Sequence, residues 1–290
     1  QVDNRHARLD RRPAEVGGRP VSVYQNGYWL GLNVPLQRES GLPRYSLSQP
    51  MLSRDQIRDI VSDAGRMPAR RRFAGATWIK NQGSRGSCQG YASAKALERA
   101  RVLAGHAHVP LSGEYLYARC NGGQDMGSTL AAGMREIQGH GVAPESMVKW
   151  QTYLWNQMPA DARSAAPRFR ADECYAVDTP DELASGLALG FVGVVAVHVG
   201  GSYSRLDSAG VRGASSGVGN HAVGVCDVRI VGESYQFDEF GSWGLGNGQG
   251  GYAWLDWGRT LQSTVRNHEF YLIRVAKADP QGDNPPEVKA

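Results

Sequence analysis

Residues 81–98 read NQGSRGSCQGYASAKALE, a glycine-rich loop that runs into an amphipathic segment beginning at Cys88. The first turn of a helix has unpaired N–H groups and a partial positive charge, and both favour a thiolate over a thiol. Gln82 lies upstream in the same loop and can place its side-chain amide beside the sulfur as an oxyanion-hole donor. We therefore expect Cys88 to be a nucleophile at the start of a helix.

A histidine could complete such a site, because an imidazole can take the thiol proton and return it to a leaving group. His221 lies in the segment GNHAVGV, about 130 residues downstream of Cys88. A lone cysteine at a helix start is more often a small buried hydrophobic residue. Cys88, Gln82 and His221 together favour a catalytic site. The other histidines are interpreted as surface or incidental residues.

The segment around Cys88 resembles the nucleophile segment of papain-like cysteine peptidases, whose histidine follows roughly 130–150 residues later. Further segments resemble that family in the same order along the chain. They are 111–116 (LSGEYL), 120–123 (CNGG), 181–197, and 241–244 (GSWG) followed by 251–252 (GY). Any one match is weak, but collinear matches over residues 75–275 are specific.

The resemblance implies an α+β fold, with a helical left half, an antiparallel β-barrel-like right half and the active-site cleft between them. We assign residues 68–275 to this domain, with 68–165 mainly helical and 166–275 mainly β. Periodicity agrees, since it predicts helices at 90–104 and 126–141. Alternation predicts strands at 192–199, 221–231, 234–240, 251–257 and 269–275.

The resemblance also implies a mechanism, in which Cys88 and His221 form a thiolate–imidazolium pair that attacks a peptide carbonyl. The product of that attack is a thioester, which water then hydrolyses. Gln82 and the Cys88 N–H would hold the oxyanion. Trp243 would shield the histidine, and Gly122 and Gly123 would pair with the substrate main chain. Asn220 is the remaining candidate for substrate binding.

The sequence departs from the family at three positions. Arg85 replaces the cysteine that pairs with the one in the CNGG loop, so Cys120 lacks its partner, and Gln89 replaces an aromatic residue. The asparagine that orients the catalytic histidine aligns with Gly241, which has no side chain. Period-2 alternation places Glu239 on the face of Gly241, so we favour Glu239 as the orienting group. Asp238 is the alternative, and Gln236 is a more distant one.

Composition is that of a globular protein, with 290 residues, 41% hydrophobic and 21% charged. The net charge of +4 does not indicate nucleic-acid binding. No stretch is apolar enough for a membrane span or a signal core, so we expect a cytoplasmic protein or a component of a larger particle such as a virion. With Cys88 free, three cysteines remain, an odd number that indicates a reducing compartment or indifference to redox state.

No metal or cofactor is predicted. There is no Cys-x-x-Cys pair, so a zinc site is not expected. Residues 246–251 (GNGQGG) match G-x-G-x-x-G formally, but they precede a predicted strand and not a helix. A turn-rich loop accounts for them better.

Residues 1–67 form an extension that could be a pro-region, a docking arm or part of the folded body. It begins with an arginine-rich arm, which could bind a docking partner with an acidic surface. A hairpin is predicted at 21–34 with Asn26-Gly27 as its turn, and we expect its aromatic residues and Leu30 to be packed. A helix is predicted at 53–64 with Ser53 and Gln56 as a capping box. Residues 276–290 form a C-terminal tail.

Three functions fit the sequence. The first is an active endopeptidase or processing protease of bacterial or phage type. The second is a catalytically reduced papain-like domain that serves as a structural or binding component of a larger assembly. Gly241 is its best support. The third is another acyl transfer on the same scaffold, such as transglutamination or hydrolysis of a non-protein amide.

Overall fold

The computed structural model describes residues 23–25, 28–34, 41–262 and 269–278. The helices are α1 (Tyr45–Ser48), α2 (Arg54–Ser62), α3 (Ala69–Arg72), α4 (Cys88–Leu103), α5 (Gly113–Cys120), α6 (Leu130–Gly139), α7 (Ala160–Ala165) and α8 (Pro180–Ala188). The strands are β1 (Val23–Gln25), β2 (Tyr28–Leu30), β3 (Glu173–Val177), β4 (Val192–Val197), β5 (His221–Val231), β6 (Ser234–Phe240), β7 (Tyr252–Asp256) and β8 (Phe270–Arg274). Single 3-10 turns lie at Ala76–Trp78, Glu145–Met147, Trp155–Gln157 and Ala166–Arg168, and a π turn at Trp257–Leu261.

Helix α4 is the centre of the helical half. It packs against α5 and α6 and also against β4 and β5. The residues from Cys88 to Ala100 are all buried, so the helix is enclosed rather than amphipathic as its sequence suggested. Its contact with α5 requires Gly90, because a Cβ there would collide with the carbonyl oxygen of Gly113.

The charged residues of α4 are paired, as burial demands. Glu98 binds Lys80 at 2.6 Å, and Arg99 donates to the carbonyl oxygen of Trp78 at 3.2 Å. Lys95 donates to the carbonyl oxygen of Gly241 in the other half of the molecule. These bonds tie the helical half to the strands through the protein interior.

The β half is a six-stranded antiparallel sheet in the order β3-β8-β4-β5-β6-β7. One face packs on α4, and α8 and α2 pack against the other side. The register pairs Gly224 with Phe240 and Val225 with Glu239. The chain therefore has the α+β architecture that the sequence predicted, with the predicted strands shortened by one to two residues at some ends.

The N-terminal residues that the structure describes are packed on this body. β1 pairs with β2 as the predicted hairpin, and Leu30 is buried. Helix α2 has the predicted capping box between Ser53 and Gln56 and packs against α8. The arginine-rich arm, the Asn26-Gly27 turn, the aromatic side chains of the hairpin and the tail beyond residue 278 lie outside the described residues.

No helix within the described ranges is long and apolar enough to cross a membrane. Those same ranges contain no group of three or more His, Cys, Asp or Glu side chains that could hold a metal ion. All four cysteines of the chain are free thiols.

Candidate active site

Cys88 is the first residue of α4, and its side chain is fully buried. Burial raises the pKa of the Cys88 thiol to about 11. Backbone N–H groups of Ala222, Gly31 and Gln89 hydrogen-bond to the sulfur and offset part of that rise. The sulfur therefore lies among main-chain donors from three separate segments, but it is closed off from water.

Gln82 is held in one orientation beside the loop that carries Cys88. Its side-chain nitrogen donates to the carbonyl oxygen of Arg85 at 2.8 Å, and its side-chain oxygen accepts from the Ser242 hydroxyl at 2.6 Å. The backbone N–H of Gln82 also donates to the Ser242 carbonyl oxygen at 2.8 Å. The amide nitrogen therefore faces the nucleophile loop, as an oxyanion donor must.

Asp125 links the nucleophile loop to the loop after α5. It accepts from the backbone N–H of Gly86 at 3.0 Å and from the Tyr117 hydroxyl at 2.8 Å, and it pairs with Arg85 at 3.3 Å. These are the two segments that the family's missing disulfide would join. A polar link therefore spans the place where Arg85 and Cys120 cannot form a bridge.

Gln151 braces the same loop from the far side, which the sequence gave no reason to expect. Its side-chain nitrogen donates to the Gln82 carbonyl oxygen at 2.6 Å, and its side-chain oxygen accepts from the Ser84 hydroxyl at 3.0 Å. Its backbone has a positive φ of 67°, which is uncommon outside glycine. A chemically ordinary residue in a loop offers no sequence signal for this role.

His221 begins β5 and is fully buried. Its ring stacks on Trp243 with 4.0 Å between centroids and 19° between planes, as the resemblance implied. Neither ring nitrogen has a hydrogen-bond partner among the described residues. Burial, together with the positive charges of Arg212 and Lys95, lowers the pKa of His221 to about 3.

Glu239 does not orient His221, so that prediction is wrong for this structure. Both of its carboxylate oxygens accept from Arg212, at 2.8 and 3.0 Å, and both side chains are fully buried. Asp238 points elsewhere and binds Arg70 at 2.5 Å, and Gln236 binds Asp256 at 3.0 Å. Arg212 comes from the long connection between β4 and β5, and no local pattern marks it as a partner of Glu239.

A segment of the chain's own N-terminal region lies against the Cys88 sulfur and beside the start of β5. Leu32 donates its N–H to the carbonyl oxygen of Asn220 at 3.2 Å, beside His221. On the other wall, Asn33 donates to the Ser128 carbonyl oxygen at 3.0 Å, and Ser128 donates to the Gly31 carbonyl oxygen at 2.9 Å. The cleft is thus crossed by an extended main chain, which we call the covering segment (residues 30–34).

Gly31 is the point of closest approach in the covering segment. A Cβ on Gly31 would overlap the backbone of Gly86, and a Cβ on Gly127 would overlap the Gly31 carbonyl. Main chain can approach main chain this closely only where side chains are absent. Gly31 therefore allows the covering segment to reach the Cys88 sulfur.

The predicted substrate-binding residues are only partly brought together. Asn220 lies at the cleft and accepts a main-chain hydrogen bond from Leu32. Gly122 and Gly123 form an exposed turn after α5, with φ angles of 64° and 81°. Ser128 makes the main-chain pairing that had been expected of them. Ser128 carries no distinctive sequence signal, whereas the two adjacent glycines are conspicuous.

The geometry places a thiol at a helix start, an amide donor and an imidazole on the walls of one cleft. In this closed arrangement both the thiol and the imidazole are neutral at pH 7. A nucleophilic thiolate–imidazolium pair carries two charges, and the covering segment keeps water from solvating them.

Solved structures of cysteine proteases share this fold. Xylellain from Xylella fastidiosa matches with a TM-score of 0.57 and 21% identity, over 69% of this chain and 83% of that one. The proform of the ragweed pollen allergen Amb a 11 matches with a TM-score of 0.58 and 18% identity, over 84% and 70%. Procathepsin B S9 from Trypanosoma congolense gives 0.55 and 13%, over 86% and 87%. The protein therefore has the papain-like fold.

No protein-family model and no curated protein sequence matches the chain. At these low identities the likeness to solved structures establishes the fold. The assignment of an activity depends on the site itself.

Proposed function

We propose that this protein is a papain-like cysteine peptidase that hydrolyses peptide bonds through Cys88 and His221. The observation that carries the proposal is the covering segment, because it is an extended peptide seated across the sulfur by main-chain hydrogen bonds. A cleft that binds main chain from Asn220 on one side and Ser128 on the other fits a peptide substrate. The likeness to cysteine proteases supports the same class.

The reaction follows from the groups on the walls. With the covering segment displaced, water lowers the pKa of Cys88 and raises that of His221, because burial is the main cause of both shifts. Cys88 then transfers its thiol proton to His221, and the resulting thiolate attacks the peptide carbonyl carbon. Gln82 and the Cys88 N–H donate to the oxyanion. His221 protonates the leaving amine, and water hydrolyses the thioester.

The covering segment makes this a latent enzyme in our proposal. Its main chain occupies the hydrogen-bonding groups that a substrate would need, and its residues Leu30 and Leu32 are buried. Among the three roles considered for residues 1–67, this favours a pro-region for the part around Gly31. Cleavage or displacement of that part would open the cleft.

A catalytically reduced domain is the second candidate. It is favoured by the ring nitrogens of His221, which have no hydrogen-bond partner in the part of the chain that the structure describes, and by the ion pair of Glu239 with Arg212. An imidazole without a partner on its far nitrogen lacks a fixed tautomer and aim. In that case the arginine-rich arm would be a docking segment and the cleft a peptide-binding site.

The test compares Cys88→Ala with Cys120→Ala, a matched loss of one thiol away from the cleft. Each protein is incubated with a peptide library and with itself, and new N-termini are identified by mass spectrometry. We expect the wild type and Cys120→Ala to cleave and Cys88→Ala to lose all cleavage while melting at nearly the wild-type temperature. Cleavage retained in Cys88→Ala would overturn the proposal.

The same assay separates the other candidates. Repeating it with a primary amine present distinguishes hydrolysis from acyl transfer by the mass of the product. If no peptide is cleaved by any variant, and Cys88 alkylates only near the ordinary thiol pKa of about 8.5 even after proteolytic nicking, the reduced domain is the correct reading.

A further inference from the structure

Two buried groups near Gly241 lack hydrogen-bond partners among the described residues. They are the ring nitrogens of His221 and the side-chain nitrogen of Asn247. His221 is fully buried and Asn247 is 5% exposed. A buried donor or acceptor left unpaired costs about 1–3 kcal/mol, so two such groups in one region need an explanation.

The space beside Gly241 connects them. An ideal Cβ on Gly241 would lie 3.2 Å from the Asn247 side-chain nitrogen and 3.4 Å from a Glu239 carboxylate oxygen. Val225 and Glu239 are opposed in the β5–β6 register, and alternation places His221 and Gly241 on that same face. The Asn247 amide thus occupies the place of a residue-241 side chain.

Hydrogen bonds hold both the side chain and the backbone of Asn247 in this place. Arg212 donates to its side-chain oxygen at 3.3 Å, while Arg212 itself is fixed by Glu239. The backbone of Asn247 donates to the Gly244 carbonyl oxygen at 3.3 Å and accepts from the Gly251 N–H at 2.8 Å. The loop between Trp243 and Tyr252 therefore delivers an amide with its oxygen on Arg212 and its nitrogen toward Gly241.

We propose that Asn247 is the positioning residue of His221, supplying from this loop the amide that position 241 lacks. The inference rests on the proposed function, because it assigns His221 a base that must be aimed. The two groups are not hydrogen-bonded to each other in the closed arrangement that the structure describes. An amide nitrogen only donates, so its partner in the ring would be the nitrogen that bears a lone pair. The ring proton of neutral His221 then lies on its other nitrogen.

Arg212 determines which end of the Asn247 amide faces the His221 ring, because it binds the amide oxygen. While Arg212 holds the amide oxygen, a hydrogen bond from the Asn247 nitrogen to the ring would stabilise the His221 tautomer that cannot accept the Cys88 proton. Turning the amide over presents its oxygen to the ring and frees the lone pair for Cys88. The charged side chains that face His221 are Arg212 and Lys95, and Glu239 is bound to Arg212. Two cations therefore oppose this rotation of the Asn247 amide.

The test measures the tautomer of His221 by nitrogen-15 NMR of histidine-labelled full-length protein, with His221→Gln to assign the signal. We expect one tautomer in the wild type and a mixture in Asn247→Leu. Asn247→Asp can only accept, so it reverses the tautomer and raises the rate of Cys88 alkylation at pH 7 on the order of tenfold. Gln249→Glu makes a matched charge change in the same loop, facing Arg70, and should change neither quantity.

A rescue experiment moves the amide from position 247 to position 241. The backbone of Gly241 is outside the left-handed region, so any residue can stand there. Gly241→Asn combined with Asn247→Gly restores an amide on the same face without the 3.2 Å contact, and should return a single His221 tautomer. If Asn247→Leu and the double variant both give the wild-type spectrum, the inference is overturned.

The NMR measurement of the tautomer needs no catalytic turnover. Its outcome is therefore independent of the test of the proposed function. Cleavage that depends on Cys88, with a tautomer indifferent to Asn247, keeps the peptidase and removes the positioning residue. A tautomer that follows Asn247 in a protein without cleavage keeps the positioning residue and removes the peptidase.

Discussion

The two walls of the cleft are built on different principles. Around Cys88 the groups are main-chain amides and neutral side chains, braced by Asp125 and Gln151. Behind His221 a buried ion pair between Arg212 and Glu239 fills the space where an orienting group was expected. The predicted residues of the first wall, Gln82 and Cys88, lie on one contiguous loop and helix, whereas Arg212, His221 and Glu239 come from three separate segments. A contiguous motif can be recognised in the sequence. A wall built from separate segments leaves no local sequence signal when one of its side chains is replaced.

The largest expected effect is on the His221 wall. Arg212→Leu should lower the free energy of unfolding by about 3–5 kcal/mol, because Glu239 is left charged and buried without its partner. The matched control is Arg259→Leu, which breaks a pair with Asp207 whose side chains are 45% and 37% exposed. That change should cost about 0–1 kcal/mol. Urea denaturation of both variants decides the matter, and equal losses would mean that the buried pair does not support this wall.

The next effect is a dependence of stability on pH from the same wall. Folding lowers the pKa of His221 from 6.5 to about 3 through burial, so the unfolded chain binds the proton more readily. Its contribution is therefore present above pH 6.5 and lost as pH falls toward 3, by up to about 1.4 kcal/mol per pH unit. Chemical denaturation of wild type and His221→Gln between pH 4 and 7 measures the difference in slope.

Asp238 provides an internal contrast in that experiment. Burial raises its pKa from 3.8 to about 7, so its contribution is lost as pH rises through that interval. Asp238→Asn should therefore make stability rise more steeply with pH, whereas His221→Gln should make it rise less. Parallel curves for all three proteins would contradict both assignments.

The smallest expected effect concerns the wall around Cys88 and is a change in the rate of Cys88 alkylation. Gly31→Ala places a methyl group against the backbone of Gly86, which should displace the covering segment and speed Cys88 alkylation by about tenfold or more through rehydration. Gly139→Ala is the control, since a Cβ there meets nothing within 4 Å. Mass spectrometry of timed iodoacetamide reactions gives the rates. An unchanged rate in Gly31→Ala would show that the covering segment does not protect the sulfur.

Much of the fold was predictable because its signals are local. The helix after Cys88, the capping box at Ser53 and the strands from His221 to Phe240 follow from periodicity and capping residues alone. The family resemblance added the cleft and the pairing of Trp243 with His221. The orienting residue was mispredicted because alternation gives the face of Glu239 but not the partner that reaches that face first.

The sequence by itself determined which residues we propose for the chemistry, since a thiol at a helix start and a histidine at a strand start depend on short segments of chain. Only the tertiary structure decided their state. The covering segment reaches Cys88 from 57 residues upstream, and Arg212 and Asn247 reach the space behind His221 from two different loops. Burial and charge at a site are sums over everything that packs there, so no single stretch of sequence contains them.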